Sequence, residues 1–214
     1  VALNKKQTST FTKVFIGLVV AMLVIALAGP SLGGWLGLFD GDQGQANGTE
    51  GDAALEQIAA KYAPTAQGYT QALASDPASY TALVVLGNTY SDWAGEVSQV
   101  SPASGADLPI LAAAIGYYER ALAIDASEPG VGIDLAIAYY YSGDASRAVE
   151  AAESVIAADD TFVPAYFNIA IFYDTVGDRD AAVAAAERYK ELDPDGQFGD
   201  PSIADQIIAG GLQQ

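Results

Sequence analysis

The 214-residue chain has no histidine and no cysteine. Without imidazole there is no Ser-His-Asp triad, no histidine metal ligand and no side chain that switches charge near neutral pH. Without a thiol there is no disulfide, no cysteine nucleophile, no cysteine zinc site and no thioether-linked haem. Positive charge is scarce as well: nine Lys and Arg stand against 27 Asp and Glu, and the pI is about 4.1. Phosphate backbones are held by clustered Lys and Arg, so this composition argues against a nucleic-acid partner. The acidity suits either solubility at high salt or the choice of a partner, and composition does not separate the two.

Charge of either sign is absent from Val14 to Phe39, within "KVFIGLVVAMLVIALAGPSLGGWLGLF". A membrane span needs about 20 apolar residues. Phe11 to Ala28 alone would reach roughly 27 Å as a helix. Gly29-Pro30 is expected to end or kink that helix, and Trp35 stands where an interfacial aromatic would anchor. Lys5, Lys6 and Lys13 precede the run, whereas every acidic residue follows it. By the positive-inside rule the expectation is a cytoplasmic tail over 1–13, one transmembrane helix over 14–36 and a domain on the extracytoplasmic side of the cell membrane. The alternative is a cleaved signal peptide, because Ala26-Leu27-Ala28 has the small-x-small pattern of a cleavage site. Residues 37–52, rich in Gly, Asp, Asn and Gln, read as a flexible acidic linker.

From about Ala53 onward, apolar residues recur at three- and four-residue intervals, which predicts helices throughout. Breaks fall at Asp76-Pro77, Ser142-Gly143, Asp160-Thr161, Val176-Gly177 and Asp193-Pro194. The order "YYYSGDASRAVEAAESVIAADD" (139–160) returns as "YDTVGDRDAAVAAAERYKELDP" (173–194), a period of 34 residues. That period with paired helices is the signature of a helical solenoid. Tyr139, Gly143, Asp144, Ala148 and Ala152 map onto Tyr173, Gly177, Asp178, Ala182 and Ala186. The glycines are expected to end helices in the left-handed conformation, and the aspartates to cap the next ones. Ala136 with Ala148, and Ala170 with Ala182, are expected to let two helices cross closely.

These residues resemble the tetratricopeptide repeat. Starting at Pro129, Leu135, Ala136, Tyr139, Ala148, Ala152 and Val155 fall on its pattern; starting at Val163, so do Tyr166, Ile169, Ala170, Tyr173, Ala182, Ala186, Tyr189 and Pro194. An earlier repeat begins at Tyr80 with Leu83, Leu86, Gly87 and Tyr90, and resumes at Ala114, Tyr118 and Ala121 after about 15 extra residues, counted against the 34-residue period of that repeat. "YTQALASDP" (69–77) matches a second helix whose first helix is degenerate. Gly132 departs from the pattern, which wants a large residue there, and the insertion at 95–110 reads as a loop. The expected fold class is all-α: a helical-hairpin solenoid of about three to four repeats over 53–199, a capping helix and tail over 200–214, and the transmembrane helix before it.

The resemblance implies binding through the concave face made by the first helix of each repeat. The residues expected there are Asn88, Ile133, Ile137, Tyr140, Tyr141, Phe167, Ile171 and Asp174. The family's carboxylate clamps use Lys and Arg on these helices, and none is present, so an apolar or aromatic protein segment with basic flanks fits better. The competing reading is that Ile133, Ile137, Phe167 and Ile171 are core. No carboxylate pair is positioned for catalysis, and "DPDGQFGDP" (193–201) lacks the spacing of a calcium loop, so no catalytic residue, metal, cofactor or small-molecule substrate is expected. The function implied is a membrane-anchored extracytoplasmic scaffold or adaptor, an accessory subunit of a membrane complex. The alternatives are a permanently packed structural subunit and a chaperone-like assembly factor.

Overall fold

The computed structural model describes residues 50–102 and 104–212; the expected tail, transmembrane helix and most of the linker lie outside the described residues. Thr49–Gln214 forms one compact unit. Among the described residues there are eight helices and no strand: α1 (Glu50–Ser75), α2 (Tyr80–Val100), α3 (Leu108–Ile124), α4 (Pro129–Tyr141), α5 (Ala145–Ala158), α6 (Val163–Val176), α7 (Arg179–Leu192) and α8 (Pro201–Ala209). None of them is long and apolar enough to cross a membrane. Each helix packs on its neighbour in sequence, so α2/α3, α4/α5 and α6/α7 stack as hairpins between α1 and the cap α8. The first helices of successive hairpins touch as well, α2 with α4 and α4 with α6.

The turn at 142–144 and its copy at 176–178 show how the repeat is built. Gly143 and Gly177 have φ of 86° and 83°, a region that costs an L side chain energy and glycine nothing. The Asp144 N–H donates to the Tyr139 carbonyl at 2.9 Å and the Gly143 N–H to the Tyr140 carbonyl at 3.0 Å. Asp178 and Gly177 do the same to Tyr173 (2.9 Å) and Asp174 (3.2 Å). This pair of bonds closes the open carbonyls of a helix end. The Asp144 carboxylate then accepts the Arg147 N–H, and Asp178 that of Ala181, opening the next helix. One aspartate therefore ends one helix and starts another.

Beyond each turn the helices cross on alanine. Ala136, Ala148 and Ala182 are wholly buried and Ala170 nearly so. Gly132, the departure from the pattern, lies where a Cβ would come within 2.4 Å of Val155 Cγ2, so α5 supplies the bulk that α4 lacks. Gly87 is held the same way by the ring of Tyr118, itself 1% exposed.

Three expectations are corrected. The linker read as 37–52 gives way to helix at Glu50. The degenerate first helix is no separate element, because α1 runs unbroken through 26 residues with Pro64 inside it. Pro64 deprives the Ala60 carbonyl of its donor, and both residues are exposed to water. The insertion at 95–110 is not a loop over its length. It extends α2 to 21 residues, ending at Val100, and α3 to 17, starting at Leu108, against 13 and 14 in the next hairpin. What holds the longer hairpin and α1 together is a ladder of aromatic rings. Tyr62 of α1 stacks on Trp93 (6.1 Å), Trp93 on Tyr90 (5.8 Å), and Tyr90 on Tyr117 of α3 (5.6 Å). Each such pair adds about 0.5–1.5 kcal/mol beyond its buried area.

Gly132→Ala is expected to lose about 1–2 kcal/mol in urea unfolding, since overpacking outweighs the better helix propensity of alanine. In a Val155→Ala background the same substitution is expected to become neutral or stabilising. Equal effects in both backgrounds would show that Val155 is not what excludes a side chain at 132.

Candidate partner-binding face

The eight residues expected on the concave face divide into two groups. Ile133 is 4% exposed and belongs to the core. Phe167 is half-buried and packs against the chain's own end: its ring lies 5.1 Å from that of Tyr189, and a Cβ at Gly199 would meet it at 2.5 Å. Tyr189 secures that cover by donating to the Gly199 carbonyl at 2.8 Å. Asp174 is also turned to internal use, with its side chain 9% exposed. It receives Arg179 Nη1 at 3.3 Å and the Leu212 N–H at 2.9 Å, and so ties down the segment after α8. Ile133 therefore lies in the core, and Phe167 and Asp174 each make contacts within the chain. In a stack, the flank of a first helix that looks toward the following repeat is buried by it, and the segment 196–212 plays the following repeat for α6.

Asn88, Ile137, Tyr140, Tyr141 and Ile171 keep open surface. Asn88 is exposed and accepts the Tyr118 hydroxyl at 2.9 Å. Ile137, Tyr140 and Ile171 are half-buried, leaning on the core while presenting an edge to solvent. Tyr140 rests on Phe172 (5.0 Å) and meets Tyr141 edge-on (5.4 Å). Tyr141 is 67% exposed, the most exposed of the large apolar side chains among the described residues.

A sixth residue belongs with them. Asp134 lies one turn before Ile137 on α4, half-buried, with no hydrogen-bond or ion-pair partner among the described residues. Burial raises its pKa above the ordinary aspartate value, and the charge of Asp92 on α2 adds to the rise. The same neighbourhood raises the pKa of the Tyr118 phenol, mainly by burial and further by the charge of Asp134. Each of the six basic residues among the described residues is engaged elsewhere: Lys61 with Glu96, Arg120 with the Pro77 carbonyl, Arg147 with Asp144, Arg179 with Asp174, Arg188 with Glu191 and Lys190 with Asp205. Asp134 escaped the sequence reading because its position in the repeat is not one the family directs to the concave face. Its signal was an acid inside the apolar run "VGIDLAIAYYY".

The outer side carries a second groove of about 420 Å³ between α5, α6 and α7, floored by Ile156, Ala157, Ala181, Ala184 and Ala185. Its polar edge is a tie between repeats. Tyr173 donates to Glu153 at 2.6 Å, as Tyr139 does to Glu119 at 2.5 Å one repeat earlier. Burial and then the glutamate bond push the pKa of both tyrosines up to about 12. The stretch considered as a calcium loop is a turn: the Asp193 carboxylate accepts the N–H groups of Gln197 (2.9 Å) and Phe198 (2.8 Å).

Residues 163–195, which hold α6, α7 and the start of the turn after α7, match the family model described as Tetratricopeptide repeat. No curated protein sequence matches. Solved structures with a similar course include "Crystal structure of MamA", 23% identical, covering 70% of this chain and 97% of that one, TM-score 0.38. A second, "Crystal structure of MamA protein", is 21% identical with coverage of 77% and 93% and TM-score 0.37. "Crystal structure of YrrB: a TPR protein with an unusual peptide-binding site" is 16% identical, with coverage of 67% and 85% and TM-score 0.39. At such identities and scores the partner of this chain has to be argued from its own residues.

Two pH effects are expected. A phenol whose folded pKa is raised contributes stability that is whole below its unfolded pKa of about 10 and lost as the pH climbs through the folded value. Stability should therefore be level up to about pH 10 and fall toward pH 12, less steeply in Tyr139→Phe/Tyr173→Phe. Asp134 has the same sign: its contribution is whole below the unfolded aspartate value and is lost as the pH rises through the higher folded one. Asp134→Asn should raise the unfolding midpoint at pH 7 and bring no gain near pH 3.

Proposed function

We propose that the chain is a non-catalytic scaffold that holds a segment of a partner protein along the concave face of α2, α4 and α6. The observation that carries this reading is the open strip of Ile137, Tyr140, Tyr141 and Ile171 on adjacent first helices. Half-exposed apolar side chains on a rigid curved support are the chemistry of a peptide groove. Aromatic residues at a groove centre supply contact area at little cost in side-chain entropy.

In this reading residues 14–36 cross the membrane and the solenoid works on the extracytoplasmic side, as accessory subunit of a membrane complex. The support is the uncharged run from Val14 to Phe39, with lysines alone before it and acids alone at its far end. Carbonate-resistant membrane association of the full chain, with the solenoid open to protease added outside the cytoplasm, is the expected result; release by carbonate or protection from the protease would contradict it.

Tyr141→Asp is the test of the face, because Tyr141 is exposed enough for the substitution to leave folding intact. The partner that co-purifies with the full chain in mild detergent should be lost from Tyr141→Asp and retained by Ala184→Asp in the outer groove, with both variants melting like the parent. Loss only from Ala184→Asp would move the docking surface to the outer groove. A partner that shields the concave face at fixed stoichiometry would favour the structural-subunit version of this role.

A further inference from the structure

Resting on the reading of residues 14–36 as a membrane span, we propose that the projecting end of the α2/α3 hairpin is a second membrane contact. Val100 and Leu108 enter the headgroup region of an uncharged or zwitterionic lipid surface and fix which end of the solenoid faces the bilayer.

The sequence keeps this end of the molecule nearly free of charge. From Val97 to Tyr118 the one charged residue is Asp107, in a chain with 27 acids. The turn uses its serine internally: the Ser104 hydroxyl donates to the Ser101 carbonyl at 2.8 Å and accepts the Ala106 N–H at 3.2 Å. What faces water is apolar. Val100 at the end of α2 and Leu108 at the start of α3 are both exposed, as are Pro102 and Pro109. The hairpin also outgrows its neighbour, since α2 has 21 residues against 13 in α4, an excess of about 12 Å of helix. Tyr80 and Pro129 open their repeats alike, so the excess lies at this end.

The chain enters the solenoid at the same end. Lys61 pairs with Glu96 and Tyr62 stacks on Trp93, so α1 runs antiparallel to α2. Val100 accordingly shares a recess with Ala54 and Ile58 of α1. Residues 40–49 are all that stands between Phe39 and α1, at most about 35 Å of chain. α3 carries Ile124 to the opposite end of the hairpin, about 24 Å away. Two apolar side chains hold a free protein to lipid only weakly. A short tether supplies a local concentration on the order of millimolar, at which a weak contact suffices. Charge then selects the surface. Asp52 and Glu56 are exposed on the opening turns of α1 at this end, so anionic headgroups are repelled and zwitterionic ones are not.

Because the chain has no cysteine, one substituted cysteine carries a fluorophore at a chosen site. The full chain with Leu108→Cys, Ile124→Cys or Val20→Cys, labelled with nitrobenzoxadiazole, would be reconstituted in phosphatidylcholine nanodiscs with and without nitroxide-labelled lipid. Leu108 and Ile124 lie on one helix with nearly equal exposure, 47% and 48%, so they differ only in which end they mark. The Leu108→Cys label should shift its emission to the blue and lose most of it to shallow nitroxides, while the Ile124→Cys label does neither. Adding Val100→Asp to the Leu108→Cys chain, or exchanging the lipid for phosphatidylglycerol, should return the emission to that of a label in water. Quenching of the Val20→Cys label without quenching of Leu108→Cys would leave the span standing and overturn the hairpin contact. Equal quenching at 108 and 124 would overturn it as well, because the solenoid would then have no preferred end. Undiminished quenching in phosphatidylglycerol would overturn the preference for uncharged lipid. A Leu108→Cys label shielded only when the co-purifying partner is present would assign the hairpin end to a protein instead. A Val20→Cys label that no nitroxide reaches would remove the span, and the proposal with it.

Discussion

Two helices can lie against each other closely only where small residues make room, and the hairpins α4/α5 and α6/α7 meet that condition with buried alanines. Ala136 faces α5 and Ala148 faces α4, both without exposed surface, and Ala170 and Ala182 repeat the arrangement. In α4/α5 and α6/α7 the aspartate turns set the distance and direction from which the second helix approaches, and Tyr139 and Tyr173 reach back to Glu119 and Glu153 of the preceding repeat. Close crossing, turn and tie recur at one spacing, so the repeats stack in one orientation. No hairpin has to be stable by itself, which is the usual energetic logic of solenoids.

That constraint also decides which residues are left for function. Because the crossings are dry and filled by alanine, they offer nothing to a ligand. Ile133 is taken up by the core, and on α6 Phe167 and Asp174 pack in part against the chain's own end. What remains is a strip of isoleucine and tyrosine side chains, half-buried at Ile137, Tyr140 and Ile171. The bound segment proposed for it is defined by these leftovers of packing as much as by any dedicated residue.

Much of this was legible in the residues themselves. Gly143 and Gly177 with Asp144 and Asp178 announced turns whose φ values and hydrogen bonds the structure reproduces, because turn chemistry is local and depends on few atoms. The alanine crossings were legible for the same reason, since a small residue at a fixed repeat position has one obvious use. Other features depend on what a distant segment does. The insertion at 95–110 looked like a loop because Pro102, Gly105 and three serines lie in it, yet stacked Trp93, Tyr90 and Tyr117 carry helix into both of its ends. Phe167 and Asp174 have the right periodicity for a binding face, and their contacts with the segment 196–212 depend on the fold of that distant segment. The Glu119 and Glu153 ties were visible as a 34-residue recurrence, but a glutamate on a surface helix carries no sign of its partner.

The open concave strip is the claim on which the functional account turns, and site-specific photocrosslinking addresses it most directly. A benzophenone side chain at position 141 in one sample, and at position 184 in another, would be activated in cells making the full chain. Crosslinks to one discrete protein from position 141, with none from position 184, are what the groove predicts. Crosslinks from position 184 alone would contradict it and would make the outer groove between α5, α6 and α7 the working surface.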